Sequence, residues 1–320
     1  MKLLMISNDR KIFDKNSAVA QKQIEYAKNY EEVHIVVFAN RHFSETSLGS
    51  NIWVYPTRSY SRWLYIFDAL RLASFVAKKR SITHITCQDP FETGLVGTLI
   101  KGRLRAFLEL QIHTDIGSQY FQKFSMMNRV RMLISKYTLV RADAVRVVSE
   151  RIKSYLEKYI DSSKIEVRPI AVDLEKIRNA PITTDLHKKY PQFSKIVLMA
   201  SRLEREKNIE MALRAFKIVL EKMPQAGLVI VGSGSQEIKL KNLARKLEIE
   251  NNIIFEGWQN NLALYYKTSD LFLVTSWYEG YGLTLVEAQV AGCRIVSTDV
   301  GVAREVGAEV VGFRPKSMAD

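Results

Sequence analysis

The stretch Leu271-Phe272-Leu273-Val274-Thr275-Ser276-Trp277-Tyr278-Glu279-Gly280-Tyr281-Gly282-Leu283-Thr284-Leu285-Val286-Glu287 contains three kinds of local signal in a row. Residues 271–275 form a run of strand length, apolar through Val274 and ending on the β-branched pair Val274-Thr275. Residues 276–282 form a polar turn with two glycines. From Leu283 the apolar spacing becomes helical, and the helix is expected over 283–291. A strand, a glycine-bearing turn and a helix in that order is half of a βαβ unit.

The same alternation extends in both directions. Strands fit 195–200, 227–231, 252–256 and 294–298, with helices at 208–223, 235–247 and 260–268. Upstream, strands fit 3–7, 33–38, 51–55, 83–87, 106–112 and 144–148. Helices fit 17–30, 62–79, 92–101, 123–140 and 149–159. Strand–helix alternation predicts parallel sheets covered on both faces, an α/β fold. The alternation lapses between Arg168-Pro169 and Pro191, where apolar periodicity is lost and Pro181 intervenes. The expected organisation is therefore two doubly wound, Rossmann-like domains, 1–170 and 195–320, joined by a linker over 171–194 and facing each other across a cleft.

In open parallel sheets, ligands bind at the carboxyl ends of the strands, so polar residues that follow strands carry weight. In the 276–282 turn, Gly280 and Gly282 allow close backbone approach. The amides of Gly282, Leu283 and Thr284 would open a helix N-terminus suited to phosphate. Glu279 and Glu287 flank Gly280, Tyr281 and Gly282 and can accept hydrogen bonds from sugar or ribose hydroxyls. An isolated pair of glutamates is ordinarily solvated surface; here the pair is embedded in a strand-to-helix turn. Arg202 and Lys207, after strand 195–200, could neutralise a diphosphate, and read equally well as part of a solvated charged turn with Glu204, Arg205 and Glu206. His113 follows strand 106–112, where a neutral imidazole can meet a sugar hydroxyl or a phosphate; a lone histidine is more often structural. Asp89 can cap the helix at 92–101. Gly232-Ser233-Gly234 lacks the third glycine of a dinucleotide fingerprint, since Glu237 stands there, and reads as a plain strand-to-helix turn. No Walker motif, zinc-ligand spacing, Asp-x-Asp metal site or Ser/His/Asp set is apparent.

Composition narrows the class. Apolar residues make up 47% and charged residues 25% of 320 residues, enough for large cores and too ordered a mixture for disorder. Cys87 and Cys293 lie in apolar surroundings and read as buried free thiols, which favours a reducing, cytoplasmic setting. Neither a signal h-region nor an apolar run of roughly 20 residues is present. Net charge is +13, and residues 1–170 hold most of it, 27 Lys and Arg against 16 Asp and Glu. The helical stretches 62–79 and 123–140 combine Trp63, Tyr65, Phe67, Met126, Met127 and Leu133 with many basic residues. They could rest on the anionic inner face of a membrane, or be core-facing helices with solvated charge. Nucleic acid is not expected as a partner.

Taken together, these residues resemble the retaining GT-B glycosyltransferases of family four, the glycosyl transferases group 1. The resemblance rests on Glu279 and Glu287, which have the family's spacing, on Ala291-Gly292 through Gly301, and on Ser201-Arg202-Leu203 with Lys207, where the family usually has glycine at 201. It also rests on His113, on Asp143-Ala144 through Glu150 and on Ile170-Ala171-Val172-Asp173. It covers about 80 to 312. It implies a metal-independent hexosyltransferase, with a nucleoside diphosphate sugar as donor, a glycan or lipid-linked acceptor and no separate cofactor. Glu279, His113, Arg202 and Lys207 would be catalytic. Gly280, Tyr281, Gly282, Leu283, Thr284, Glu287 and Gly232 would bind the donor. Two departures stand out. The family's glycine-rich loop after the first strand is here Asn8-Asp9-Arg10-Lys11 through Ser17. The family also continues beyond the equivalent of Asp320, so carboxyl-terminal helices are expected to be missing. A sugar-nucleotide epimerase, a non-catalytic donor-binding subunit and a truncated remnant are the alternative readings.

Overall fold

Runs such as Leu3-Leu4-Met5-Ile6 are apolar on both sides of the pleat and can be satisfied only between two layers of helices. In the computed structural model, which describes residues 1–319, this holds for two units that divide after Arg168. The first unit, Met1–Arg168, is built on eight strands: β1 (Lys2–Ser7), β2 (Glu32–Val37), β3 (Thr46–Gly49), β4 (Ile52–Pro56), β5 (His84–Cys87), β6 (Phe107–Ile112), β7 (Ala144–Val147) and β8 (Ile165–Val167). Their order is β3-β4-β2-β1-β5-β6-β7-β8, parallel throughout except for β3. Leu3 and Met5 pack with Val33, Ile35 and Val54 on one face, while Leu4 and Ile6 on the other are fully buried.

The second unit, Pro169–Asp320, carries β9 (Lys195–Ala200), β10 (Ala226–Val231), β11 (Ile253–Gly257), β12 (Leu271–Val274), β13 (Ile295–Thr298) and β14 (Glu309–Val311), all parallel. Its order is β11-β10-β9-β12-β13-β14. Counted within the unit this is three-two-one-four-five-six, the dinucleotide-fold order, with its switch point between β9 and β12. Period-two alternation divides the core. Ile196, Leu198, Val229, Phe272 and Ile295 pack on one face, and Met199, Leu228, Ile230, Leu273 and Val296 on the other.

The structure differs from the sequence reading at the margins. Edge strands β3, β8 and β14 were not expected, because an edge buries little and its apolar run is short: Thr46-Ser47-Leu48-Gly49 has one large apolar residue. The stretch 123–140 is two helices, Gln119–Phe124 and Met126–Leu139, because Ser125 turns extended and its Oγ accepts the Asn128 amide at 3.1 Å. The stretch 171–194 is not free connecting chain. It belongs to the second unit, with short helices at Leu174–Arg178 and Leu186–Lys189, and Leu186 is fully buried beside Phe193 and Ile196. Cys87 and Cys293 are free, buried thiols, and burial pushes both pKa values up.

Candidate active site

The sequence singled out three turns of the second unit, and all three leave carboxyl ends of adjacent strands. The turn after β9, Ser201 to Asn208, is the hub. Thr275, following β12, donates its hydroxyl to the carbonyls of Lys207 and Asn208 at 2.9 and 3.1 Å. The Trp277 amide donates to the Glu206 carbonyl at 2.8 Å. On the other side the turn after β10 is drawn in: Glu204 accepts the Ser235 amide and hydroxyl at 2.9 and 2.7 Å, and the Leu203 amide donates to the Ser233 carbonyl. These bonds from Ser235 hold the Glu204 carboxyl below its usual pKa.

This packing explains Gly232 and Gly234. Gly232 has φ +137, and a Cβ there would lie 1.9 Å from the Ser201 carbonyl oxygen; at Gly234 it would lie 2.5 Å from that of Leu203. Both glycines are needed for one loop to approach another, whatever the ligand. Glu204, which read as a solvated surface residue, is thereby a structural tie.

The three-loop frame brings Lys207 and Glu279 together. Lys207 Nζ lies 2.5 Å from Glu279 Oε1, with the side chains only 13% and 19% exposed. The Ser276 hydroxyl donates to the same oxygen at 2.8 Å, and the Ser276 carbonyl accepts the Thr298 hydroxyl at 2.8 Å. Ser276 and Thr298 were not singled out from sequence; a hydroxyl at a strand end gives no signal of the loop it will tie down. Tyr281 is anchored through its carbonyl, which accepts the Val302 amide at 2.9 Å. Gly282 then adopts φ +88 and opens the helix Leu283–Val290 with no side-chain cap. The first amides of any helix lack intrahelical acceptors, so the turn from Gly282 through Leu283 to Thr284 presents donors three residues beyond Glu279.

Not every expected residue joins this group. Arg202 pairs with Glu206 at 2.7 Å and its side chain is 64% exposed. Glu287 is half-buried and accepts the hydroxyl of the fully buried Tyr266 at 2.9 Å; burial raises its pKa. Tyr266 sits on the helix Ala263–Thr268 and had no sequence signal beyond an apolar position.

In the first unit His113 follows β6. Its Nε2 lies 3.2 Å from Gln111 Oε1, and an amide oxygen only accepts, so Nε2 carries the proton. Gln111 donates in turn to Thr86, which donates to Glu109, at 2.9 and 3.0 Å. Surrounding protein, then the charges of Arg146 and Lys22, lower the His113 pKa and favour the neutral ring. Asp89 lies before the helix Glu92–Leu104, where its carboxylate accepts the Phe91 and Thr93 amides at 2.8 and 3.3 Å. The Asn8-to-Ser17 segment folds around caps: Asp9 accepts the Lys11 amide and Ser17 that of Ala20. Among the described residues, no three His, Cys, Asp or Glu side chains gather where they could hold one metal ion.

Two family profiles fit this arrangement. Glycosyl transferases group 1 matches residues 184–313, and Glycosyltransferase Family 4 matches residues 24–176. The chain belongs to the family-four glycosyltransferases. Among relatives of this family, the alpha-monoglucosyldiacylglycerol synthase of Streptococcus pneumoniae is 30% identical over 235 residues, 69% of this chain and 53% of the relative. The UDP-Gal:alpha-D-GlcNAc-diphosphoundecaprenol alpha-1,3-galactosyltransferase of Escherichia coli is 33% identical over 150 residues, 45% of this chain and 39% of the relative. The chain thus spans about half the length of the curated relatives it matches. Among solved structures, sucrose-phosphate synthase from Thermosynechococcus elongatus aligns with TM-score 0.77 at 18% identity, covering 100% of this chain and 88% of the other. Anabaena HepE in complex with UDP-glucose aligns with TM-score 0.72 at 19% identity and the same coverage. At such identities the likeness is one of fold, and the fold of the glycosyltransferase is GT-B, two Rossmann-like α/β units.

Proposed function

We propose that this chain transfers a hexose from a nucleoside diphosphate sugar to a glycan or lipid-linked acceptor, with retention of anomeric configuration. The observation that carries the reading is the Lys207–Glu279 pair, held by three loops at a topological switch point and followed directly by an uncapped helix start. A cation, a carboxylate and a row of backbone amides at one place fit a diphosphate joined to a sugar. The relatives described above, an alpha-monoglucosyldiacylglycerol synthase and an alpha-1,3-galactosyltransferase, support the same reading.

As the glycosidic bond breaks, negative charge gathers on the departing diphosphate. Lys207, Arg202 and the amides of Gly282, Leu283 and Thr284 would stabilise that charge without a metal ion or separate cofactor. The acceptor hydroxyl oxygen bonds the anomeric carbon on the face the diphosphate leaves, and the hydroxyl proton passes to a diphosphate oxygen. Before the donor arrives, Lys207 and Glu279 neutralise each other. A diphosphate would draw off Lys207 and release Glu279 to accept sugar hydroxyls. Glu287 is assigned to the ribose, and Gly232 to the floor under the donor. His113, neutral and protonated on Nε2, is assigned to a sugar hydroxyl.

The anionic inner face of a membrane is proposed as a further partner of the basic first unit, with the protein peripheral to it on the cytoplasmic side. No helix among the described residues is long and apolar enough to cross a membrane. A melting panel with UDP, GDP and their sugars tests the donor assignment. One nucleotide should raise the melting temperature in proportion to the logarithm of its concentration, and product should form only when both donor and acceptor are present. No shift with any nucleoside diphosphate would overturn the proposal.

A further inference from the structure

The helix Met126–Leu139 turns an apolar stripe to solvent. Met126, Val130, Leu133 and Tyr137, continued by Val140, recur at helical spacing, and all are exposed, Met126 at 71% and Leu133 at 68%. Amphipathic helices of soluble domains face the other way. Arg129, Lys136 and Arg141 flank the stripe, and the Arg141 guanidinium lies 3.8 Å from the centre of the Tyr137 ring. An exposed apolar stripe bordered by cations is chemically complementary to an anionic amphiphile.

Beside this stripe the first unit holds a cavity of about 220 Å³. Ile116, Met132 and Leu139 form a buried floor, while Val140 and Tyr159 stand exposed at the mouth. Ser135 also lines it, but its hydroxyl is spent on the Met132 carbonyl at 2.9 Å, so the floor makes no polar demand. Tyr155 and Tyr159 form one wall with rings 5.2 Å apart, and Lys136 Nζ lies 5.8 Å from the Tyr159 ring. The loop that supplies Ile116 also carries His113. Asp115 fixes that loop by accepting the Gly117 and Ser118 amides, both at 3.1 Å, and Gly117 presses against Tyr155, where a Cβ would lie 2.6 Å from the ring.

The geometry points to a chain-binding slot: this cavity takes one hydrocarbon chain of an anionic, lipid-linked acceptor, with Lys136 at the mouth meeting its phosphate. Ile116 in the slot lies three residues from His113 along a loop pinned by Asp115, so an acceptor whose chain is held there would have its head group near the proposed sugar contact. The continuous apolar stripe gives that chain a path along the protein surface. The inference rests on the transferase reading for the word acceptor, and on the first unit alone for the slot.

The test uses the full chain and an alkyl phosphate carrying a photoactivatable diazirine. Cross-links should fall within 132–140 and 155–159, be competed by dodecyl phosphate and be indifferent to inorganic phosphate. Filling the slot with Ser135→Phe should cut labelling at least tenfold. Should that variant fail to fold, Val140→Glu at the exposed mouth should give the same loss without touching the core. Labelling that centres instead on Trp63, Phe67 and Phe75, the exposed aromatic residues of the 62–79 stretch, or that ignores both substitutions, overturns the slot. So does a slot shielded by a second copy, seen as labelling that disappears when the chain sediments as a dimer. A nucleoside diphosphate melting shift with no slot labelling removes this inference and leaves the transferase reading standing. Slot labelling with no nucleotide shift does the reverse.

Discussion

At the scale of the residue, the Lys207–Glu279 pair decides most. Removing one partner leaves the other charged and largely shielded from water, so each single change costs more than the pair is worth. Glu279→Ala and Lys207→Ala should each lower transfer by at least 100-fold, on the order of 3 kcal/mol of transition-state stabilisation. Far-ultraviolet dichroism should be unchanged. Turnover near the wild-type rate in either variant would remove that residue from the mechanism. Gly232 is the contrasting case, because its requirement is steric. Alanine there must both hold φ near +137 and clear a carbonyl oxygen that its Cβ would approach at 1.9 Å. Gly232→Ala should therefore destabilise the second unit by roughly 2–4 kcal/mol, read as a lower urea midpoint. An unchanged midpoint would show that the β9 and β10 loops can part cheaply.

At the scale of the element, the helix start after β5 makes a pH-dependent contribution. Burial is the main reason that Asp89 is raised from 3.8 to about 6, partly offset by the amides it accepts. A carboxyl whose folded pKa is raised binds its proton more tightly in the native state. Its stabilising contribution is complete below about pH 4 and is lost as pH rises to about 6. The span is up to about 3 kcal/mol. Asp89→Asn keeps an amide acceptor and cannot ionise, so it should gain stability relative to wild type between pH 4 and pH 7. Urea titrations at those two values measure the difference, and a pH-independent difference would contradict it. Elements also show where sequence reading reached its limit. Buried central strands such as β9 and β12 carry long apolar runs and were legible, whereas β3, β8 and β14 are short edges. The break at Ser125 was invisible as periodicity because the flanking helices continue the same apolar spacing.

At the scale of the whole molecule, charge is divided as the sequence has it: 27 basic against 16 acidic residues in 1–170, and 20 against 18 in 171–320. Because exposed charges are screened by salt, association with vesicles containing anionic lipid should be strong at 20 mM salt and weaken at least tenfold by about 300 mM. Cosedimentation would read this directly, and binding equal to that on neutral vesicles would refute a charge-driven surface. The amino-acid order alone determined the α/β class, the parallel sheets, the division into two units and which strand-to-helix turns to mark as a candidate site. Those follow from local signals: apolar period, glycine, proline and strand-to-helix punctuation. Only the tertiary structure decided which of the marked residues meet. Lys207 reaches Glu279 across 72 positions because Thr275 clamps one loop to the other, while Arg202, five residues from Lys207, pairs with Glu206 instead. Contacts of that kind depend on which strands become neighbours, and a one-dimensional pattern holds no term for strand order.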